Sequence, residues 1–444
     1  MKKPLAFLIL SGFLIGGLYP SPQSDAFAVA DDGKLIVSYD ASSLVKKDGT
    51  YWIWGGYGMP SVPTQLHGIA DAKQALGNRY FSKTDGTLWH WQKSQGSSND
   101  YEMREIEGIR EPLEVLEYSE SGGRALALDH DGNVFRLNNG KAGAPLYGID
   151  RVKRITSYSD PKFRKDMFVF LKHDGTVWRS DSSFTNFAQA TEVEEAAHVD
   201  TDGRSSVAAD NDGGLWYWDS SSAPLRFKSV KNVKEVYLVN RSILAITQSG
   251  DFLQVAIPSE PLKANVSFKR WDTGVTGAVK GENHLILQKA DGTLWGWGAN
   301  DHNELGYGDG WNRLVTVPVH APIEIVLNGE SIPLSNGVMT RYGQSFVPLR
   351  SVFEKLGAEV TWDGQAKVAT LARDATTTSE PVVMRFNFKT LGVTLNDVPV
   401  QLPSPAGVLS SNGSTYLPLR FISEAFGAKV EWVKTDGKIL IEMA

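Results

Sequence analysis

A turn motif that recurs about every 40 residues is the feature that most constrains the fold of this chain. Six copies contain Asp-Gly, the sixth in order contains Ser-Gly, and apolar segments of strand-like composition flank each copy. The first turn residues are 48, 85, 131, 174, 212, 249 and 291, which gives steps of 37 to 46 residues. One hairpin per unit at this spacing is typical of the blades of a β-propeller.

The residues around the turns favour a structural role. Asp-Gly is a strong hairpin signal, and we expect type I′ turns with positive φ at both central residues. Pairs such as Trp52 and Trp54 share one strand face, which indicates packing between blades. Two alternatives remain: an ion site at the turns, although a calcium loop needs more oxygen ligands, and a sugar-stacking surface made by the tryptophans.

The last copy carries a more specific signature. It continues through Trp297-Gly298-Ala299-Asn300 and Leu305-Gly306-Tyr307-Gly308. This pattern resembles the RCC1 repeat family, and the resemblance covers about residues 34–320, with the other copies keeping only Asp-Gly-x-x-Trp. The resemblance implies a seven-bladed propeller. Family members include a nuclear guanine-nucleotide exchange factor that also binds chromatin, but only scaffold residues match here, so that activity is not expected.

The C-terminal quarter has a different texture. Segments 346–362 and 416–432 align without a gap at an offset of 70 residues, and each predicts a strand, a two-turn helix and a strand. They resemble the copper amine oxidase N-terminal-like (stalk) domain of secreted bacterial proteins, over about residues 322–444. We therefore expect a small α+β domain with an internal duplication. The predicted fold class is mainly β: a seven-bladed β-propeller followed by this domain.

Local signals define the predicted helices of this domain. Pro348 suits the first helical turn, and Gly357 suits a left-handed C-terminal cap; both have counterparts 70 residues later. Arg350 and Glu354 are spaced as an i, i+4 pair. We interpret that pair and its counterpart as partly exposed ion pairs that fix the helix end, with a ligand site as the alternative.

Copper oxidase chemistry is not expected. The resemblance would imply three histidine ligands and a tyrosine-derived cofactor, yet no Asn-Tyr-Asp/Glu motif occurs. The predicted C-terminal domain contains no histidine, since the eight histidines are His67, His90, His130, His173, His198, His284, His302 and His320. No Walker loop, His-Glu-x-x-His or Gly-x-Ser-x-Gly motif occurs either. The sequence thus assigns no catalytic, cofactor-binding or metal residue, no cofactor, and no identifiable binding residue.

The N-terminus has the pattern of a secretory signal. Lys2 and Lys3 precede an apolar stretch over residues 5–18, and small residues offer cleavage after Ala28 or Ala30. We expect a signal peptide at 1–30, the propeller at 31–320 and the α+β domain at 321–444, in a secreted or cell-envelope-associated protein. An uncleaved membrane anchor is the alternative reading of residues 1–30.

Composition narrows the function classes further. The chain has no cysteine, which excludes disulfides, thiolate metal sites, a cysteine nucleophile and a cysteine-linked lipid anchor. The formal net charge is −6, and no Lys/Arg-rich run indicates nucleic-acid binding. No second apolar run approaches membrane length, so no membrane span is expected after signal cleavage.

These observations predict a non-catalytic extracellular binding or scaffold protein. The propeller would present a surface to an extracellular protein or a cell-wall glycan, and the C-terminal domain would serve envelope attachment or assembly. Residues 92–100 and 180–186 are candidate binding loops, or merely solvated connections. The alternatives are a glycan- or peptide-processing enzyme with a site in the propeller channel, and a purely structural surface spacer. Oligomeric state is left open.

Overall fold

The computed structural model describes residues 35–94, 100–118, 124–138, 140–160, 165–219, 222–375, 380–402 and 407–443. The predicted signal peptide at 1–30 lies outside the described residues. The fold class is confirmed: the chain is mainly β, with a propeller followed by a small α+β domain. Within the described ranges, no helix is long and apolar enough to cross a membrane.

Seven antiparallel groups of four strands, here called blades, follow one another in the described part of the propeller, and a parallel pairing between their last strands joins the second and third groups into one eight-stranded sheet. Blades 1 to 4 comprise β1 (Ile36–Tyr39), β2 (Ser43–Lys46), β3 (Tyr51–Ile53), β4 (Thr64–Gln65); β5 (Ala72–Leu76), β6 (Tyr80–Lys83), β7 (Thr87–Lys93), β8 (Tyr101–Arg110); β9 (Pro112–Glu117), β10 (Arg124–Asp129), β11 (Val134–Asn138), β12 (Lys141–Pro145); and β13 (Val152–Asp160), β14 (Lys165–Lys172), β15 (Val177–Asp181), β16 (Ala188–Ala190). Blades 5 to 7 comprise β17 (Ala196–Thr201), β18 (Ser205–Asp210), β19 (Leu215–Asp219), β20 (Leu225–Arg226); β21 (Val233–Val239), β22 (Ser242–Thr247), β23 (Phe252–Ala256), β24 (Lys269–Asp272); and β25 (Val275–Lys280), β26 (His284–Lys289), β27 (Leu294–Gly298), β28 (Arg313–Pro318). The first strands of successive blades contact one another, so they form the inner ring.

Apolar clusters lie between successive blades rather than inside any one of them. A cluster also closes the ring, because Trp52 and Trp54 of blade 1 pack with Ile286 and Leu294 of blade 7. Each thin sheet buries both faces only through its neighbours, since burial of apolar side chains is the dominant favourable contribution to folding. The tryptophans that the sequence analysis assigned to packing belong to these clusters.

The recurrent turns join the second and third strands of each blade. In all seven, the N–H of the glycine donates to the carbonyl three residues earlier, and the glycine φ lies between 77° and 84°. The preceding residue has no positive φ. The turns are therefore three-residue loops with a left-handed glycine, and the type I′ prediction is wrong. In the first copy, the Asp48 carboxylate accepts hydrogen bonds from the N–H and the hydroxyl of Thr50, which stabilises this three-residue loop.

These turns also join each blade to the next one. The Gly132 carbonyl accepts the Val152 N–H at 3.0 Å, and five other turn glycines accept from the following blade in the same way. A Cβ on Gly132 would lie 2.6 Å from the Arg151 Cα, which is too close for any side chain. Glycine is thus required both by its φ and by the backbone of the neighbouring blade.

The residues that follow the glycine form a repeated hydrogen-bond chain. In blade 4, the Thr176 hydroxyl donates to the Asp174 carboxylate and accepts the Trp178 indole N–H at 3.0 Å. Three other copies repeat this chain, at Trp52, Trp89 and Trp295. A lysine ammonium also lies over several of these indoles, as Lys289 does at 3.8 Å from the Trp295 ring centre. These carboxylates and indoles already have protein partners.

The C-terminal domain contains three sheets and two short helices around one apolar core. Its elements are β29 (Glu324–Leu327), β30 (Glu330–Ser331), β31 (Met339–Arg341), β32 (Gln344–Pro348), α1 (Leu349–Phe353), β33 (Glu359–Asp363), β34 (Val368–Arg373), β35 (Val382–Asn387), β36 (Gly392–Leu395), β37 (Val398–Val400), β38 (Leu409–Ser411), β39 (Ser414–Pro418), α2 (Leu419–Ala425), β40 (Ala428–Val433) and β41 (Lys438–Met443). A 3₁₀ turn covers Lys434–Asp436.

The duplication predicted from the sequence is visible as a pseudo-twofold sheet. β32 and β39 pair antiparallel, with Val347 opposite its own counterpart Leu417. Gly357 and Gly427 have φ of 80° and 79°, as a left-handed cap requires.

Two details of the predicted helices differ from the structure. Pro348 lies at the N-cap with extended backbone, one residue before the helix. α1 has five residues rather than two turns, because it ends at Phe353 and residues 354–357 form a turn, whereas α2 has seven residues, as predicted. Among the described side chains, the predicted i, i+4 ion pair forms only in the second copy, where Arg420 and Glu424 are 3.3 Å apart and both largely exposed.

A buried polar network joins the C-terminal domain to the propeller near the ring closure. Asn336 accepts the Ser61 N–H at 2.9 Å and donates to the Ser61 hydroxyl at 2.8 Å. The Ser411 hydroxyl lies 2.7 Å from that of Ser61 and donates to the Gly308 carbonyl. An apolar cluster around Val62 continues the interface on both domains. These contacts bring the duplicated hairpins directly against blades 1 and 7.

A second contact involves the residue that precedes the C-terminal domain. His320 is buried, and the Arg341 guanidinium donates to its Nε2 at 2.9 Å. Arg341 also donates to the Tyr307 carbonyl at 2.9 Å, in the loop after β27. Burial and then the positive charge of Arg341 lower the pKa of His320 to about 3. The imidazole is therefore neutral at ordinary pH and can accept this hydrogen bond.

Candidate functional site

A cavity of about 670 Å³ opens where blade 7 meets blade 1 and extends to blade 2. Turns between first and second strands and connections between third and fourth strands supply most of its lining. It therefore lies at the blade ends opposite the Asp-Gly turns. Its lining residues are Ser42, Trp54, Gly55, Gly56, Tyr57, Met59, Asn78, Arg79, Trp91, Lys93, Gly281, Glu282, Asn283, His284, Ala299, Asp301, His302 and Glu304.

An exposed tyrosine stands at this cavity. Tyr57 is 92% exposed, and the ring centres of Tyr57 and His302 are 6.1 Å apart, edge to face. The loop that carries it is nevertheless held in place. The Gly56 N–H donates to the His302 carbonyl at 2.9 Å, and the Lys93 ammonium donates to the Gly58 carbonyl at 2.9 Å. Tyr57 therefore presents an exposed aromatic ring on a loop that hydrogen bonds already hold in place, so ligand binding needs little further ordering of this loop.

The C-terminal domain holds the other end of the same loop. The Asn412 side chain, at the tip of the β38–β39 hairpin, donates to the Met59 carbonyl at 2.8 Å. Asn412 and Gly413 both have positive φ, as a two-residue hairpin of this geometry requires. The cavity wall is thus supported by both domains.

Buried aromatic residues form the floor of the cavity. Trp54 and Trp91 are 1% and 4% exposed, and the Trp54 indole N–H donates to the Glu304 carbonyl at 2.9 Å. His284 is also buried, and its Nε2 lies 3.1 Å from the Ala41 carbonyl. Burial lowers the pKa of His284, so its imidazole is neutral at ordinary pH. The floor is consequently rigid and uncharged.

The charged residues of the lining are nearly balanced. Two cations, Arg79 and Lys93, accompany three carboxylates, Glu282, Asp301 and Glu304. Several are already paired: the Arg79 Nε lies 3.6 Å from a Glu117 carboxylate oxygen, and Glu304 accepts the His302 N–H. The net formal charge of the lining is thus −1, which gives it little preference for strongly charged ligands.

The described lining contains no contact of the kind that activates a nucleophile. The Ser42 hydroxyl faces the Asn78 amide oxygen at 3.5 Å, and the His284 Nε2 faces a backbone carbonyl. Nucleophilic catalysis needs a hydroxyl within hydrogen-bonding reach of a general base. In the described ranges there is also no group of three or more His, Asp or Glu side chains that could hold a metal ion.

The inner ring bears on the alternative hypothesis of an enzyme, which requires carboxylates that line the propeller channel. Such carboxylates are present, but they connect neighbouring blades. The Glu114 carboxylate accepts the Ile155 N–H at 3.1 Å, and Asp200 accepts the Leu238 N–H at 2.8 Å. Burial raises the pKa of Glu114. These hydrogen bonds join first strands that do not pair with each other in the described sheets.

The Arg154 side chain lies among these carboxylates. Burial opposes the charge of Arg154, but Tyr237 and then the carboxylates of Glu114, Asp200 and Glu235 raise its pKa overall. These partners come from blades 3, 5 and 6, so the guanidinium reaches across the ring. The inner ring is therefore occupied by mutually compensating charges.

The C-terminal domain can be assigned by comparison. Residues 326–441 match the model of the copper amine oxidase N-terminal domain. This is a non-catalytic domain. The copper amine oxidase N-terminal domain of this chain contributes Asn412 to the border of the cavity and has no histidine within the matched residues.

Comparison with solved structures gives weaker likenesses to propellers. Human WBSCR16 is 16% identical, with 60% of this chain and 86% of that chain covered and a TM-score of 0.44. BamB from Moraxella catarrhalis is 15% identical, with 59% and 85% covered and a TM-score of 0.35. One chain in the crystal structure of Kap60 bound to yeast RCC1 (Prp20) is 11% identical, with 64% of this chain and 74% of that chain covered and a TM-score of 0.34. Similarity this low has no bearing on function. A search of curated protein sequences finds no match.

The sequence predicted no binding residue, and this cavity joins residues of blades 1, 2 and 7 that no sequence pattern connects. The run Trp54-Gly55-Gly56-Tyr57-Gly58 was the available signal, because an aromatic residue among glycines marks a tight, exposed loop. Of the two candidate loops, 92–100 contributes Lys93 to the lining, and residues 95–99 lie outside the described ranges. In 180–186, Phe184 is buried between blades 3 and 4.

Proposed function

We propose that this chain is a non-catalytic binding protein that acts outside the cell and holds its ligand at the cavity between blades 7 and 1. The ligand is an extracellular protein or a cell-wall glycan. One observation carries the proposal: Tyr57 is 92% exposed on a loop fixed by hydrogen bonds, beside a cavity of about 670 Å³. Pockets of this size bind small or segmental ligands in other proteins.

Both domains fit this role. The propeller and the copper amine oxidase N-terminal domain together suggest binding or scaffolding rather than catalysis. The described carboxylates of the inner ring are occupied by backbone N–H groups and cations, which speaks against the channel enzyme. Attachment or assembly through the C-terminal domain remains part of the proposal, and β33 and β37 of its five-stranded sheet expose most of their residues.

The test uses the purified chain from residue 31, the proposed mature form. Its binding to intact bacterial cells, isolated wall polymers and secreted proteins is compared for wild type, Tyr57→Ala and Tyr147→Ala. Tyr147 is the matched control, because it is 97% exposed but does not line the cavity. We expect Tyr57→Ala to weaken binding roughly 10- to 30-fold, as loss of an aromatic anchor does. Equal binding by both variants would refute the cavity as the site.

A further inference from the structure

The surface of Tyr57 suits a sugar ring. Aromatic faces carry partial negative charge, so they attract the polarised C–H groups on one face of a pyranose. Tyrosine also supplies a large contact area at low cost in conformational entropy. Since the loop is already held by the Gly56 and Lys93 hydrogen bonds, stacking needs little further ordering. The exposed position of Tyr57 leaves its ring available for such a contact.

The polar lining suits hydroxyl groups. Amides and carboxylates each offer two hydrogen-bonding atoms in one plane, and the lining contains Asn78, Asn283, Glu282 and Asp301, all largely exposed. Neighbouring sugar hydroxyls are donors and acceptors at once, so they can satisfy both atoms of such a group. The half-exposed Arg79 adds a planar set of donors. Since the net formal charge of the lining is only −1, an uncharged ligand suits it better than a strongly charged one.

The same lining is poor for a peptide. Peptides are usually recognised by strand addition at a free sheet edge or by apolar side-chain pockets. Here turns and connections make most of the lining, and the floor tryptophans, Trp54 and Trp91, expose almost no surface. A peptide would therefore find few backbone partners and no open apolar pocket among the described residues.

From these observations we infer that the ligand of this cavity is an uncharged oligosaccharide that stacks one sugar ring on Tyr57. The inference rests on the proposed function, because it assigns the ligand class of the same site. The surrounding amides and carboxylates bind the hydroxyls, and the cavity of about 670 Å³ has room for a short chain of sugar rings.

The experiment measures calorimetric binding of three neutral tetrasaccharides: β-1,4-linked N-acetylglucosamine, β-1,4-linked glucose and α-1,4-linked glucose. The chain from residue 31 is compared with Tyr57→Ala, Tyr57→Phe, Asp301→Asn and the control Tyr147→Ala. We expect at least one tetrasaccharide to bind, with affinity reduced 10- to 30-fold in Tyr57→Ala and within threefold of wild type in Tyr57→Phe. We expect a smaller reduction in Asp301→Asn and little dependence on salt. Thermal unfolding checks that every variant is folded.

The outcomes separate this inference from the proposed function. Binding of a tetrasaccharide that depends on the Tyr57 ring supports both. If no tetrasaccharide binds, while cells or secreted proteins bind in a Tyr57-dependent manner, the glycan assignment is overturned and the binding function stands. If binding is salt-sensitive and confined to anionic wall polymers, the uncharged class is likewise overturned. Equal tetrasaccharide binding by all variants removes the ligand from this cavity and overturns both.

Discussion

Replacing Gly132 with alanine tests whether the turn glycines hold neighbouring blades together. Gly132 has a φ of 81°, where an alanine costs about 1–2 kcal/mol. Its Cβ would also lie 2.6 Å from the Arg151 Cα and 2.7 Å from the Val152 nitrogen, both backbone atoms of the next blade. Forcing such a shift costs about 1–3 kcal/mol more. We expect the free energy of unfolding to fall by about 2–5 kcal/mol in total.

Gly274 provides the matched control. Its φ is 71°, it joins blades 6 and 7, and a Cβ there would meet nothing within 4 Å. Gly274→Ala should therefore lose only the conformational contribution, about 1–2 kcal/mol. The difference between the two variants isolates the close approach of the blades and should be about 1–3 kcal/mol.

Urea unfolding followed by tryptophan fluorescence measures both variants. The chain has 13 tryptophans, and several lie in the clusters between blades, so the signal reports on loss of blade packing. The slope of free energy against urea should stay unchanged, which shows that the folded state has kept its compactness. A difference between the variants below about 0.5 kcal/mol, the usual effect of surface substitutions, would refute the reasoning.

Three further predictions concern the domain interface, the inner ring and the cavity. Because the pKa of His320 in the folded protein lies far below its ordinary value, the contribution of His320 to stability is present above about pH 6.5 and is lost as the pH falls towards about 3. The urea midpoint of His320→Asn should therefore change less than that of wild type between about pH 7 and pH 4. An equal change of the midpoint in both proteins would contradict this. Arg154→Met should lower the free energy of unfolding by about 3–5 kcal/mol at neutral pH, because it leaves buried carboxylates without their cation. This loss should be smaller in mild acid, where the raised pKa of Glu114 lets that carboxyl become neutral. A larger loss in mild acid would contradict this charge arrangement. Asn412→Gly keeps the left-handed turn but removes the hydrogen bond to the Met59 carbonyl. Calorimetry should then show roughly fivefold weaker tetrasaccharide binding, in line with about 1 kcal/mol per hydrogen bond. Unchanged affinity would show that the C-terminal domain does not support the Tyr57 loop.

Much of the fold could be predicted because its signals are local. The spacing of the Asp-Gly turns marks one hairpin per blade, and each turn lies between a second and a third strand. The offset of 70 residues likewise predicts the paired hairpins of the C-terminal domain and the caps at Gly357 and Gly427. A turn or a cap depends on residues only a few positions apart, so the residues themselves reveal it.

Two predictions made from local sequence patterns, the type I′ turns and the two-turn helix after Pro348, differ from the structure. A type I′ turn was expected from Asp-Gly alone, but the Thr50 hydroxyl and N–H bind the Asp48 carboxylate and favour a three-residue loop. The helix after Pro348 was expected to have two turns, yet α1 ends at Phe353, whereas its counterpart α2 has the expected seven residues. In the turn, side-chain hydrogen bonds outweighed the preference of the Asp-Gly pair.

The candidate site depends on residues that are far apart in sequence. Tyr57, Glu282 and Asp301 come from the first and last blades, so they meet only when the ring closes. The hydrogen bond from Asn412 to Met59 joins residues separated by 353 positions, and no periodic pattern reveals it. Blade structure follows from short-range chemistry that is repeated along the chain, whereas the cavity and the docked C-terminal domain follow from long-range packing. That packing depends on the closed ring, whose geometry no single stretch of sequence contains.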